Sequence, residues 1–262
     1  MTNPKGTPIW FEYLARDLDA AKAFYADVVG WSIADSGMGS ATGMTYLITA
    51  APDGDFIAGM MPSPMAEAPP TWLVYFGVDD VDATVDALSA AGAQVQMPAT
   101  TMDNVGRMAM LADPQGAPFY VMRGASDDDS RAFQDYRQGD VTGHGVWVEL
   151  ASPDPKAAIA FYTQQLGIKQ EGAMPMGDLG DYSFIHAGET GIGAIMGTVM
   201  NARPGWLTYF GTDDIDAAVA RLKAAGGTLV QGPDQIPGGS YVIVAEDHAG
   251  ARFGLSGPRK EA

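Results

Sequence analysis

Four times along this chain, a short stretch of alternating apolar residues gives way to an aspartate, and then to apolar positions spaced three and four apart. The segments are FEYLARDLDAAKAFYADVVGW, VYFGVDDVDATVDALSAAGA, VELASPDPKAAIAFYTQQLGI and TYFGTDDIDAAVARLKAAGG. A period of two predicts a strand with one face buried, and a period near 3.6 predicts an amphipathic helix. Asp17, Asp80, Asp154 and Asp214 stand at the change of period. There a side-chain oxygen satisfies the free amides of a first helical turn and suits the positive end of the helix dipole. Gly30, Gly92, Gly167 and Gly226 come after them at intervals of 13, 12, 13 and 12 residues. Glycine takes the left-handed conformation that closes a helix, so each interval is one helix. A recurrent interval marks a repeated unit.

The segments after each helix are strand-like. After Gly30 come WSIADS, MTYLITA and DFIAGMM; after Gly92 come AQVQMP, RMAMLAD and APFYVMR, separated by turn residues such as those of Asp113–Gly116. The unit is therefore βαβββ. The glycine-rich stretches Gly39–Gly43 and Pro237–Ser240 lack the spacing of a phosphate-binding loop and read as hairpin loops.

The four units pair at a higher level. Trp10, Glu12, Asp17, Phe24 and Tyr25 recur as Trp147, Glu149, Asp154, Phe161 and Tyr162, each shifted by 137; Trp72, Tyr75, Phe76, Gly77 and Asp80 recur as Trp206, Tyr209, Phe210, Gly211 and Asp214, shifted by 134. The chain thus reads as a duplicated pair of modules: residues 1–124 form one domain and residues 143–262 a second. Residues 125–142, with Asp127, Asp128 and Asp129, form the linker.

At 262 residues, each half is long enough to bury its own core. There is no cysteine, so disulfides, thiolate catalysis and zinc–cysteine sites are excluded. With 15 basic and 32 acidic residues the net charge is −17, which repels a phosphate backbone and argues against nucleic acid as a partner. No apolar run is long enough for a membrane span and no basic, apolar leader is present, so the expected setting is the cytoplasm, as monomer or homodimer.

Paired βαβββ modules carrying the pattern D-x-x-x-A-x-x-F-Y at Asp17–Tyr25 and Asp154–Tyr162 resemble the vicinal oxygen chelate superfamily of glyoxalases, bleomycin-resistance proteins and extradiol dioxygenases. The resemblance covers nearly the whole chain. It implies an α+β fold in which the paired modules curl their mixed sheets into two cups, with helices outside. In metal-dependent members that this chain resembles, a ligand lies seven residues before the helix-opening Asp. Those positions here are Trp10, Leu73, Trp147 and Leu207. A further ligand lies seven residues after the Asp of the last turn, which gives Tyr120 and Gly254. None is an ordinary divalent-metal ligand, so no metal and no cofactor are expected. His144, His186 and His248, at a strand start and in two turns, read as surface histidines.

Strand alternation sorts the side chains. Trp10, Glu12 and Leu14 with Leu73, Tyr75 and Gly77 are expected inside the first cup, and Trp147, Glu149 and Ala151 with Leu207, Tyr209 and Gly211 inside the second. Phe11, Tyr13, Val74 and Phe76 then pack on helices, as do Trp72 and Trp206. Trp10, Tyr75, Tyr120, Met122, Trp147 and Tyr209 are the candidate ligand-binding residues. Methionine, including Met60, Met61, Met108, Met110 and Met196, suits an adaptable apolar wall or simple core filling. Trp10 and Trp147 either stack on a conjugated ligand or fill the space of a metal.

Glu12 and Glu149 are the candidate catalytic residues, and two readings stay open. Desolvation raises the pKa of a carboxylate in an aromatic cup and prepares it as an acid or base. Alternatively each accepts a hydrogen bond from Tyr75 or Tyr209 and satisfies the floor of the cup. Four functions are compatible with these residues. The first is binding of a small apolar or aromatic molecule for sequestration or metabolism. The second is lyase, isomerase or hydrolase chemistry on Glu12 or Glu149. The others are a metalloenzyme with unusual ligands, and a structural or interaction role.

Overall fold

The computed structural model describes residues 3–37, 43, 45–65, 67–198 and 204–260; most of the expected loop at Gly39–Gly43 and Met44 of MTYLITA lie outside them. Four βαβββ modules succeed one another. The first holds β1 (Pro8–Ala15), α1 (Leu18–Val29), β2 (Ser32–Asp35), β3 (Leu47–Ala50) and β4 (Phe56–Pro62). The second holds β5 (Thr71–Gly77), α2 (Val81–Ala90), β6 (Gln94–Met102), β7 (Gly106–Ala112) and β8 (Pro118–Gly124). The third comprises β9 (Gly145–Ser152), α3 (Pro155–Leu166), β10 (Lys169–Pro175), β11 (Asp181–Ala187) and β12 (Thr190–Gly197). The fourth comprises β13 (Gly205–Gly211), α4 (Ile215–Ala224), β14 (Thr228–Gln235), β15 (Tyr241–Glu246) and β16 (Arg252–Gly257). The α+β fold is built on two mixed eight-stranded sheets, ordered β2-β3-β4-β1-β5-β8-β7-β6 and β10-β11-β12-β9-β13-β16-β15-β14. No helix among the described residues is long and apolar enough to cross a membrane.

Every helix begins as the pattern requires. Asp17, Asp80 and Asp154 accept from the amides of Ala20, Ala83 and Ala157, and Asp214 from those of Asp216 and Ala217. Gly30 and Gly167 close α1 and α3 in the left-handed conformation. In α2 and α4 the last turn ends one residue earlier, at Ala91 and Ala225, and the next residue, a glycine, carries the positive φ. The loop expected at Pro237–Ser240 joins β14 to β15.

The sheets keep to chain order, but the compact units do not. One unit contains residues 1–9, 73–130 and 148–207, so it joins the second module to the third; the other contains residues 10–72, 131–147 and 208–262, joining the first to the fourth. The expected linker is more than a tether, because Ala132 and Phe133 are buried and the Gly145 amide donates to the Ala132 carbonyl.

In each unit a strand-to-strand turn is clamped by a helix of the other module. In the second unit the buried Asp247 accepts from Tyr25 of α1 at 3.0 Å and from Tyr13 of β1 at 2.5 Å, while its other oxygen takes the amides of Ala249 and Ala251. Trp72 donates to the Tyr25 hydroxyl at 2.8 Å. In the first unit Asp113 accepts from Tyr162 of α3 at 3.1 Å and from the amides of Gln115 and Ala117, and Trp206 donates to the Tyr162 hydroxyl. Burial, and next the adjacent aspartate charge, pushes the phenols of Tyr13, Tyr25 and Tyr162 far above their ordinary value. Phe11 packs edge-on to Phe210, and Phe76 meets Tyr162 and Trp206, so these outer-face residues line the contact between modules.

These clamps make stability fall in alkali. Above pH 10, the ordinary tyrosine value, the unfolded chain releases phenolic protons that the folded chain keeps, so the unfolded state gains. The expected loss is up to about 4 kcal/mol per pH unit when three tyrosines respond, and Tyr→Phe variants flatten that slope in pH-dependent denaturant melts. At neutral pH, Tyr162→Phe costs about 1–3 kcal/mol and Tyr25→Phe less, because Asp247 keeps Tyr13.

Candidate functional site

The first-module strand β1 pairs in parallel with β4, which sets Glu12 opposite Gly59. Glu12 is only 3% exposed. Its carboxylate accepts from the hydroxyl of Tyr46 at 3.3 Å, and that hydroxyl accepts from the Trp10 indole at 3.2 Å. Gly59 is what admits the ring, since a Cβ there would overlap the Tyr46 hydroxyl. Trp10, Tyr46 and Glu12 thus form one polar chain on an aromatic surface.

The third module repeats this with a difference. Glu149 lies opposite Ala194 in the β9–β12 register and accepts from Tyr182 at 2.9 Å, but it is half-buried. Trp147 is half-buried like Trp10, and Tyr136 meets it edge-on at 6.4 Å. The donors seen at the two glutamates are therefore Tyr46 and Tyr182. Alternation along β1, β5, β9 and β13 named Tyr75 and Tyr209 and did not name Tyr46 or Tyr182, because it cannot see which further tyrosine a neighbouring loop or strand brings in. The duplication offered the missing signal: Tyr46 and Tyr182 recur at a shift of 136, close to that of the glutamates.

Tyr75 and Tyr120 occupy paired positions of β5 and β8 and stack face to face, with centroids 4.1 Å apart and planes 1° from parallel. Both are buried, and Met122 beyond them is half-buried. In the fourth module Tyr209 pairs with Gly254, and its ring lies where a Cβ of residue 254 would be, within 2.1 Å. Of the methionines, Met60 and Met108 are core residues, while Met61, Met110 and Met196 are half-buried.

Two histidine expectations are corrected. His144 is not a surface residue: it is 1% exposed, lying between the Arg131 carbonyl and Asp53 of the β3–β4 turn, segments distant in sequence that cover it and engage both ring nitrogens. His186 lies within β11 and is half-buried, since the strand runs through to Ala187; only His248 sits exposed in a turn.

The fold agrees with the comparisons with known proteins. The model of the Glyoxalase/Bleomycin resistance protein/Dioxygenase superfamily matches residues 8–121 and 145–255. The chain belongs to this superfamily. It is 33% identical over 258 residues to the Mycobacterium tuberculosis protein named "Putative glyoxylase CFP32", covering 97% of this chain and 95% of that one. It is 30% identical over 274 residues to the anthracycline biosynthesis protein DnrV of Streptomyces peucetius, covering 95% and 92%. Among solved structures, the Mn(II)-bound glyoxalase of Novosphingobium aromaticivorans matches with a TM-score of 0.65 at 20% identity, over 99% of this chain and 84% of that one. Homoprotocatechuate 2,3-dioxygenase of Arthrobacter globiformis matches at 0.68 and 16%, over 98% and 82%. These last two speak for the fold alone.

A divalent metal does not fit the positions that the resemblance assigns to ligands. Indole, isobutyl, phenol and bare glycine stand there, at Trp10, Trp147, Leu73, Leu207, Tyr120 and Gly254, and they offer neither imidazole nitrogen nor carboxylate oxygen.

The burial contrast between the glutamates is measurable. Tyr46→Phe removes a donor from a buried carboxylate and is expected to cost about 1–3 kcal/mol. Tyr182→Phe, beside a half-buried carboxylate that water reaches, should cost under about 1 kcal/mol. Equal losses in chemical denaturation would contradict the difference in solvation.

Proposed function

We propose that this protein binds a small aromatic or apolar molecule through the ring faces that replace metal ligands, for sequestration or for metabolism of that molecule. The observation that carries this reading is the Trp10–Tyr46–Glu12 chain, with Glu149 and Tyr182 as its counterpart. A half-buried indole supplies a flat apolar contact, and a glutamate fixed by a phenol supplies one oriented polar group. Tyr75, Tyr120, Met122, Trp147 and Tyr209 add aromatic and thioether surface of the same character. Relatives named for anthracycline biosynthesis support a fused-ring ligand, whose shape suits an indole face. The reading calls for no cofactor. The matched ranges 8–121 and 145–255 also support the proposal that residues 1–124 and 143–262 are the duplicated halves, joined by residues 125–142.

The second reading is acid–base catalysis as a lyase, isomerase or hydrolase, favoured by the burial of Glu12 and its fixed donor. Here Tyr46 orients the carboxylate, and Glu12 moves a proton on a bound substrate.

A titration with a fused-ring quinone, read by tryptophan fluorescence, tests the first reading. Saturable quenching that weakens in Trp10→Leu or Trp147→Leu is expected; a flat response across a panel of aromatic ligands would rule binding out. Glu12→Gln and Glu149→Gln separate the two readings. A binding role leaves fold and affinity nearly intact, whereas a catalytic one shows a fall in turnover of about 10²–10⁴-fold with binding preserved.

A further inference from the structure

His144 is held between two acceptors. Its Nδ1 lies 2.7 Å from the Arg131 carbonyl oxygen and its Nε2 lies 2.9 Å from Oδ2 of Asp53. A carbonyl oxygen only accepts, so Nδ1 carries a proton, and Nε2 is the nitrogen that faces Asp53. A cation at Nε2, either a second ring proton or a metal ion, is what lets this nitrogen and a carboxylate oxygen stand 2.9 Å apart. Donation of the other ring N–H to a backbone carbonyl is also how proteins orient a metal-ligating histidine.

The place is built. Asp53 and Asp55 lie in the turn between β3 and β4, closed by the Ala51 amide donating to the Asp55 carbonyl and the Gly54 amide to Ala51. Gly143, at φ +84°, lets the chain pass this turn: a Cβ there would come within 2.7 Å of Pro52. The Trp31 indole donates to the Gly143 carbonyl at 2.8 Å. The His144 amide donates to Val141, and the His144 carbonyl accepts from Gly211. Both sides of the cluster are therefore fixed before any ion arrives. One ligand atom from each of Asp53, Asp55 and His144 lies within 4.8 Å of the others. The Arg131 guanidinium, on a side chain 64% exposed, pairs with Asp55 and can swing into water.

We propose that Asp53, Asp55 and His144 bind one first-row divalent metal ion, with zinc the best match to one imidazole and two carboxylates. The ion fastens the segment before β9 to the β3–β4 turn and acts structurally. It lies outside the positions that the resemblance assigns to ligands, and the proposal does not depend on the reading of the aromatic faces.

The test is calorimetric titration of chelator-treated full-length protein with zinc chloride, beside Asp53→Asn, Asp55→Asn and His144→Gln. The two carboxamide variants change partly exposed side chains and keep the fold, checked by circular dichroism, should His144→Gln not fold. The expected result is one zinc per chain, a rise in melting temperature with zinc, and at least about tenfold weaker binding in Asp53→Asn. Magnesium, which prefers oxygen ligands, should bind more weakly. Three outcomes would overturn the proposal. One is no saturable binding. Another is affinity unchanged in both carboxamide variants, an adventitious ion on the acidic surface only. The third is an NMR signal showing the Nε2 proton of His144 retained in excess zinc.

Discussion

The structure depends on a buried carboxylate in a tight turn. Asp113 and Asp247 each bind two amides of their own turn with one oxygen and a tyrosine from the other module of their unit with the second. Moving a carboxylate out of water costs several kcal/mol unless its lone pairs are met, so the turn is stable only where that tyrosine arrives. The tryptophan that donates to the same tyrosine extends the chain into the aromatic core. A single polar atom thus ties a hairpin, a helix and a strand together.

This constraint explains why the compact units cross the sequence repeat. Backbone hydrogen bonds assemble the first two modules into one sheet and the last two into another. Side-chain burial makes a different pairing, first with fourth and second with third. Phe11 on Phe210 and Phe76 on Trp206 show that the outer strand faces belong to that second pairing.

Duplication has also been succeeded by divergence. Glu12 is sealed beneath Tyr46, which Gly59 admits, while Glu149 stays in reach of water beside Ala194. Tyr75 stacks on Tyr120, whereas the Tyr209 ring takes the space that a side chain at Gly254 would need. Corresponding positions therefore offer different surfaces, and the fold alone does not choose between binding and catalysis.

The order βαβββ, the helix limits and the superfamily were legible in the sequence because each rests on local chemistry: an aspartate that caps, a glycine that turns left-handed, a period that switches from two to 3.6. The aromatic residues at the ligand positions were legible for the same reason, by counting from those caps. Partners brought together from distant segments were not. Tyr46 reaches Glu12 across 34 residues, Asp53 reaches His144 across 91 and Tyr25 reaches Asp247 across 222. By itself the sequence determined which elements form and which residues face the same side of a strand. Only the tertiary structure decided which carboxylate is desolvated, which tyrosine satisfies it and which histidine is buried, because hydrogen bonding and burial depend on packing between segments that no local period records.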